Sequence, residues 1–212
     1  MTAGAEPDPD CALCPRLVAY RAANREAMPD GFNAPVPSFG VATAALLVVG
    51  LAPGVKGANR SGRPFTGDHA GLLLYAALRR AGFARGTYAA RADDGLTLVN
   101  CRITNAVRCV PPENAPKTAE ITTCNRFLAA VLAEMPRLRV VLCLGTIAHD
   151  ATLRALGLRR AAHPFGHGAC HALPEGRVLV DSYHVSRYNT STRRLTEPMF
   201  HAVMDQVAGL CR

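Results

Sequence analysis

The chain has 212 residues, the length of one ordinary domain with at most a small appendage. Hydrophobic residues make up 49% of it and charged residues 19%, so it can bury a core and is not a disordered chain. Its 24 basic residues outnumber its 16 acidic ones, and the formal charge of +8 favours a polyanionic partner such as nucleic acid.

Residues 1–10 are predicted to form a loose acidic tail, without the basic start and apolar run of a secretory signal. The longest apolar stretch, residues 41–53, is shorter than the roughly 20 residues that a membrane span needs. Hydrophobic periodicity predicts helices over residues 15–27, 71–81, 118–135, 146–156 and 197–210. Apolar runs predict strands over residues 45–50, 97–107, 140–145 and 178–182.

Strands that alternate with helices and are apolar throughout indicate a parallel sheet covered by helices on both faces. Residues 11–212 are therefore expected to form one α/β domain. In such folds the ligand site lies beyond the carboxyl ends of the strands. Those ends carry GLAPG from Gly50, then Asn105, Gly145 and His184. Thr118 is expected to cap the third helix.

Eight cysteines without a secretory signal favour reduced thiols over a disulfide scaffold. Cys11 and Cys14 form a C-x-x-C unit, while Cys109 follows a predicted strand and Cys124 lies early in a helix. Four such thiolates could hold zinc or an iron–sulfur cluster, or they could be independent core thiols. Of the four remaining cysteines, Cys101 and Cys143 are expected to be buried, and Cys170 and Cys211 are assigned no role.

Two loops have the composition of a ligand site. Residues 50–71, GLAPGVKGANRSGRPFTGDHAG, combine glycines that allow close backbone approach with an aromatic ring at Phe65 and a carboxylate at Asp68. That combination suits a flat polar heterocycle, although a glycine-rich surface loop is the simpler interpretation. Residues 182–196, SYHVSRYNTSTRRLT, place hydroxyls, amides and arginines after His184, and such groups suit phosphate and sugar contacts.

These two segments, together with CALCPRLVAYR and ITNAVRCVPPEN, resemble the uracil-DNA glycosylase superfamily, and more narrowly its family-five (type b) iron–sulfur branch. Relatives in family four begin the first loop with GEAPG, whereas this chain has Leu51 at the acidic position, as family five does. The resemblance implies a three-layer α/β/α sandwich with a four-stranded, mainly parallel sheet. It also implies a 4Fe–4S cluster on Cys11, Cys14, Cys109 and Cys124.

The resemblance also implies a pocket for a base flipped out of DNA. Phe65 is expected to stack on that base and the Asn105 amide to read its edge. The backbone of Leu51, Ala52, Pro53 and Gly54 is expected to close the pocket, with Asn114 nearby.

Catalysis is expected to come from His184, donating to uracil O2 as the departing base becomes negative, and from Asp68, positioning water. Arg187 and Tyr188 follow the motif where the family inserts a wedge into DNA. Val185 departs from the proline that many relatives have there. The other expected DNA contacts are Asn59, Arg60, Arg63, Ser186 and Asn189.

The resemblance thus predicts a monofunctional glycosylase that removes uracil, and other deaminated bases such as hypoxanthine or xanthine, from DNA. We expect it to act as a monomer in the bacterial cytoplasm, associated with the nucleoid and not with a membrane. The alternatives are a protein that binds uracil-containing DNA without turnover, one that traps the abasic product covalently, and a zinc-stabilised nucleic-acid-binding module.

Overall fold

A six-stranded sheet lies at the centre of the fold in the computed structural model, which describes residues 5–212. The first four residues of the predicted tail lie outside this range. The strands are β1 (Phe39–Gly40), β2 (Leu46–Gly50), β3 (Ala84–Arg85), β4 (Thr97–Leu98), β5 (Cys101–Asn105), β6 (Val140–Leu144), β7 (Cys170–Ala172) and β8 (Val178–Ser182). The helices are α1 (Pro15–Ala27), α2 (Ala58–Ser61), α3 (His69–Arg80), α4 (Thr118–Ala133), α5 (Thr146–Ala155), α6 (Arg187–Ser191) and α7 (Glu197–Leu210).

The strand order is β1-β5-β2-β6-β8-β7, and the four inner strands are parallel. Every residue of β2, β5 and β6 is buried, as expected for strands covered on both faces. The α/β class is confirmed, but the sheet has six strands, not the predicted four. The two additional strands, β1 and β7, have two and three residues and pair antiparallel at the edges, too short for a periodic signal.

Helices cover both faces of the sheet and form two separate hydrophobic cores. On one face, α3 and α7 pack Leu74, Leu78 and Phe200 against the sheet. On the other face, α4 and α5 pack Leu128 and Leu153 against it. Among the described helices, none combines the length and hydropathy that a bilayer crossing requires. The layering is therefore α/β/α.

The long elements begin and end close to their predicted positions. Helices α1 and α7 and strand β8 match to the residue. The predicted strand over residues 97–107 is wrong in extent, because Asn100 adopts a left-handed turn (φ 51°) that separates β4 from β5. The predicted cap is also wrong: α4 begins after Lys117, whose backbone N–H donates to the Glu120 carboxylate at 2.7 Å.

The tail and two of the cysteines also have defined surroundings. Glu6, within the predicted tail, forms ion pairs with Arg102 (3.2 Å) and Arg108. Cys101 and Cys143 are fully buried in the sheet, which confirms their prediction as core residues. No disulfide joins any of the eight cysteines, all of which lie in the described part of the chain.

Candidate functional site

A cleft of about 610 Å³ opens at the carboxyl edge of the parallel sheet, beside the ends of β2 and β8. Its walls include Leu51, Ala52, Gly54, Asp68, Asn114 and His184, and Ser186 and Arg187 also line it. Pro53 is buried next to this lining. The sheet therefore brings the two chemically distinctive loops to one place, as the position of strand ends in a parallel sheet predicts.

Phe65 and Asn105 meet at Gly50, the last residue of β2. A Cβ atom on Gly50 would collide with both Asn105 Oδ1 and the edge of the Phe65 ring. The Asn105 Oδ1 atom is buried and accepts no hydrogen bond. The edge of an aromatic ring and an unpaired amide oxygen therefore lie side by side at the end of β2, where Gly50 leaves room for them; neither side chain is itself among the residues that line the cleft.

Phe65 is held in an uncommon backbone conformation, with φ at 54°. The Tyr88 hydroxyl donates to the Phe65 carbonyl at 3.1 Å, and a Cβ on Gly71 would collide with that same carbonyl. Left-handed backbone at a bulky residue persists only where its surroundings fix it. The ring is thereby held beside the cleft, with its centroid 6.2 Å from that of His184.

Asp68 caps a helix, and it also lines the cleft with its carboxylate. It is the N-cap of α3, where Oδ1 accepts from the Gly71 backbone N–H at 3.3 Å. Its carboxylate lies against Gly57, where a Cβ atom would collide with Oδ2, and 3.2 Å from a Cβ placed on Gly54. Burial raises the pKa of Asp68, while the backbone N–H groups of Gly71 and Ala70 offset part of that rise. A partly desolvated carboxylate facing a cleft is a candidate base.

His184 lines the same cleft from the loop after β8. Burial lowers the pKa of His184 to about 4, so its imidazole is neutral at physiological pH. A Cβ on Gly145 would approach the His184 Cβ to 3.3 Å, and Asn189 Nδ2 donates to the His184 carbonyl at 2.8 Å. A neutral, positioned imidazole can donate one N–H to a developing anion.

The segment after His184 forms a short helix that was not predicted, α6, which carries most of the expected DNA contacts. Ser186 caps it by accepting from the Asn189 backbone N–H at 3.4 Å. Arg187 is exposed, and Tyr188 has 71% of its surface exposed, which is unusual for a large aromatic residue. Val185 is fully buried in the core, so packing anchors this loop.

Two of the expected DNA contacts are buried instead, which corrects the prediction. Arg63 is 5% exposed, and its guanidinium pairs with both carboxylate oxygens of Asp94 at 2.8 Å. That guanidinium holds the pKa of Asp94 far below its usual range. Asn59 is 1% exposed and donates to Asn33 Oδ1 at 2.8 Å. Neither side chain can reach a phosphate, because each is engaged inside the protein; Arg60 is exposed.

Two residues that sequence reasoning missed also line the cleft, Lys56 and His69. Lys56 is exposed, and His69 Nε2 lies 3.1 Å from Thr190 Oγ1, which links the start of α3 to α6. Both lie in the glycine-rich segment 50–71, so their place in that segment could have indicated that they line the site. Asn114 is exposed and adopts a left-handed φ of 55°.

The four cysteines of the predicted cluster converge at one place between α1, the exit of β5 and α4. Cys11, Cys14, Cys109 and Cys124 line one cavity. The Arg108 backbone N–H donates to Cys124 Sγ at 3.4 Å. Arg21 Nη1 donates to Cys109 Sγ at 3.7 Å.

The spacing of these sulfur atoms bears on what they can hold. In the described residues, only His149, His171 and Asp181 form a group of three ligands whose atoms all lie within 4.8 Å of one another. No three of the four cysteine sulfurs are that close. Sulfurs around a single zinc ion, at about 2.3 Å from the metal, would be about 3.8 Å apart. The four sulfurs are therefore spread more widely than the ligands of a single zinc ion.

Fold and cleft together define a class of α/β protein whose ligand enters at the strand ends, between a glycine-rich loop and a histidine loop. The family model described as the Uracil DNA glycosylase superfamily matches residues 37–208. The chain belongs to this superfamily.

The chain is similar over nearly its whole length to proteins named type-5 uracil-DNA glycosylase. It is 47% identical to the one from Thermus thermophilus, covering 94% of each chain. It is 40% identical to the one from Mycobacterium tuberculosis, covering 94% of this chain and 78% of the relative. It is 39% identical to the one from Pyrobaculum aerophilum, covering 94% of this chain and 88% of the relative.

Proposed function

We propose that the protein is a monofunctional DNA glycosylase, which flips a deaminated base from DNA into the cleft and hydrolyses its N-glycosidic bond. The observation that carries this proposal is the buried, unpaired Oδ1 of Asn105 beside the Phe65 ring. Leaving a buried acceptor unpaired costs about 1–3 kcal/mol, which a bound donor would recover. A flat ring with an N–H on its edge supplies that donor and stacks on the aromatic face.

The chemistry of the Asn105 amide defines a range of substrates. Its oxygen accepts an N–H and its nitrogen donates to a neighbouring carbonyl, and uracil presents N3–H beside O4. Hypoxanthine and xanthine present N1–H beside O6, the same pair, and so does guanine, which its 2-amino group distinguishes from them; cytosine and adenine present an acceptor beside an amino group. The proposal therefore includes all three deaminated bases. Thymine has uracil's edge and adds a methyl group, so its rate of excision measures how tightly the walls fit.

Bond cleavage leaves positive charge on the sugar and negative charge on the departing base. The neutral His184 lines the cleft and would donate an N–H to the O2 of that base, an interaction that strengthens as the anion develops. Asp68, across the cleft, positions the attacking water and offsets the oxocarbenium charge. The water's oxygen bonds to C1′, and its proton passes to a base in the cleft or to solvent.

Contacts with DNA are assigned to the exposed rim of the cleft. Arg187 and Lys56 line it, and Arg60 follows in the same loop, so all three can meet phosphates. Tyr188, the exposed aromatic on α6, would enter the stack that the flipped nucleotide leaves. Ser186 and Asn189 hold α6 in place through its cap and the His184 carbonyl.

The cysteine site fits a 4Fe–4S cluster on Cys11, Cys14, Cys109 and Cys124. The donor set is all thiol, as the ligands of such clusters are, and two N–H groups donate hydrogen bonds to its sulfurs. When bound, the cluster supplies a covalent cross-link that joins α1 to the exit of β5 and to α4. Removing Cys14 by alanine substitution is expected to lower bound iron and the melting temperature together.

The proposal is tested by incubating the protein with oligonucleotides that contain uracil, hypoxanthine, xanthine or thymine, followed by treatment with alkali. Strand cleavage at the first three bases supports it. A protein–DNA band that survives denaturation would instead show covalent trapping, and binding without cleavage would show a protein that only recognises damage. Asn105→Asp is the matched variant, because it keeps the shape and replaces the amide donor with an acceptor.

A further inference from the structure

A second polar cluster has no part in the proposed mechanism, because none of its members lines the cleft. It consists of His149 on α5, His171 on the edge strand β7 and Asp181 on β8. His149 and Asp181 are 1% and 0% exposed, and the His171 side chain is 12% exposed. Three metal-ligating side chains from three elements thus converge in the interior.

The spacing of the three groups is that of ligands around one small cation. His149 Nδ1 lies 2.8 Å from Asp181 Oδ1, and His171 Nε2 lies 3.6 Å from Asp181 Oδ2. All three ligand atoms lie within 4.8 Å of one another. Ligands at about 2.0–2.1 Å from a tetrahedral zinc ion are about 3.4 Å apart. A metal ion therefore fits among these atoms with small side-chain adjustments.

The hydrogen bonds around the cluster orient its ligands inward. His149 Nε2 faces the His163 carbonyl at 2.9 Å, and an N–H held there leaves Nδ1 as the atom that faces Asp181. A metal-ligating histidine commonly donates its other N–H to a backbone carbonyl in this way. Asp181 Oδ2 in turn accepts from the Gly166 backbone N–H at 3.4 Å.

His171 provides an independent observation, because its Nε2 is buried and has no hydrogen-bond partner. At 3.6 Å from Asp181 Oδ2, it is too far for a hydrogen bond, yet it points at the carboxylate. A buried unpaired nitrogen is costly unless another group satisfies it. An open pocket lined by His149, Asp150, Arg160 and His163 reaches one of the three residues, His149, from the solvent side.

From this geometry we infer that His149, His171 and Asp181 form a binding site for a divalent transition metal ion of the zinc type. Two imidazoles and one carboxylate are ligands that such ions prefer, and three protein ligands leave a position open to water from the pocket. The ion would join α5 and the short edge strand β7 to β8. This site is separate from the cysteines and does not depend on the proposed function.

The test is calorimetric titration of the purified protein, with any bound cluster retained, using zinc chloride. We expect one zinc per chain at this site and a zinc-dependent rise in melting temperature. His171→Gln and Asp181→Asn should each weaken this binding at least about tenfold and remove the thermal shift. His201→Gln is the matched control, because His201 Nε2 also lies 3.6 Å from a carboxylate oxygen, that of Glu197, but on the surface of α7.

The two variants separate the possible outcomes. His171 lies on a three-residue edge strand outside the cleft. His171→Gln should therefore fold and, in an assay without added zinc, retain the excision activity of the parent protein. Zinc binding that is unchanged in both variants would place the ion elsewhere, at the cysteines for example, and would overturn the inference. If the parent protein binds no zinc, the inference is also overturned. The short contact between His149 and Asp181 would then be a hydrogen bond with a proton between the two groups.

Discussion

Replacing Asp68 by asparagine separates its role as a helix cap from the role of its negative charge, because asparagine caps a helix as well as aspartate does. The cap bond from the Gly71 backbone N–H to Oδ1 can be retained by the amide oxygen. The substitution removes only the negative charge and its capacity to accept a proton. We therefore expect Asp68→Asn to fold normally and to lose excision.

The magnitude follows from the burial and position of the carboxylate. Asp68 is partly desolvated, as its raised pKa indicates, so removing its charge relieves a desolvation cost, and the free energy of unfolding should not fall. A positioned base contributes about 10²–10⁴-fold to a rate. Excision should therefore fall at least about tenfold, which is about 1.4 kcal/mol of barrier. Asp68→Ala should show the same loss and, without the cap, cost about 1 kcal/mol of stability.

The assay is single-turnover excision of uracil from a duplex with enzyme in excess, together with thermal unfolding of each variant. Asp205→Asn is the matched control, since Asp205 is an exposed carboxylate that pairs with Arg80 on the surface. If Asp68→Asn excises uracil at the rate of Asp205→Asn, the carboxylate has no catalytic role and acts only as a cap.

The pH dependence, the pocket and the DNA contacts yield further expectations. Because burial lowers the pKa of His184 to about 4, the rate of single-turnover excision should not fall as pH rises through 6.5, whereas a loss there would indicate a protonated imidazole. The raised pKa of Asp68 predicts that the rate declines as pH falls, with a midpoint above 3.8, because only the ionised form accepts a proton. Gly50→Ala should lower excision at least about tenfold with little change in affinity for undamaged duplex, measured by fluorescence anisotropy, because the methyl group displaces the pocket's ring and amide. Arg187→Ala should reduce the slope of log affinity against log salt by about 1, while Arg63→Ala should leave that slope unchanged and cost about 3 kcal/mol or more of stability, since it breaks a buried ion pair.

The main features of the fold could be predicted because they depend on local sequence. Apolar runs and helical periodicity locate the long elements, and a parallel sheet then places strand ends such as Gly50 and His184 at one edge. The edge strand β7 has three residues, too few for periodicity to be detected, and its pairing with β8 depends on tertiary contacts.

The roles of individual polar residues could not be predicted in the same way, because they depend on partners distant in sequence. Arg63 is 31 residues from Asp94, and the ion pair between them decides that its guanidinium is buried and not on the DNA surface. His149 is 32 residues from Asp181, so no motif connects them. Composition indicates a positive charge, but only the folded chain shows which arginines are exposed and which are buried.

Hydrolytic release of a base held by Phe65 and Asn105 can be tested by measuring free base. Excess uracil-containing duplex is incubated with the protein, and the released uracil is quantified by mass spectrometry against the alkali-labile strand. We expect one free uracil for each alkali-labile site, with more than one turnover per protein molecule. Recovery of uracil only within intact DNA, or of protein covalently attached to the abasic strand, would contradict it.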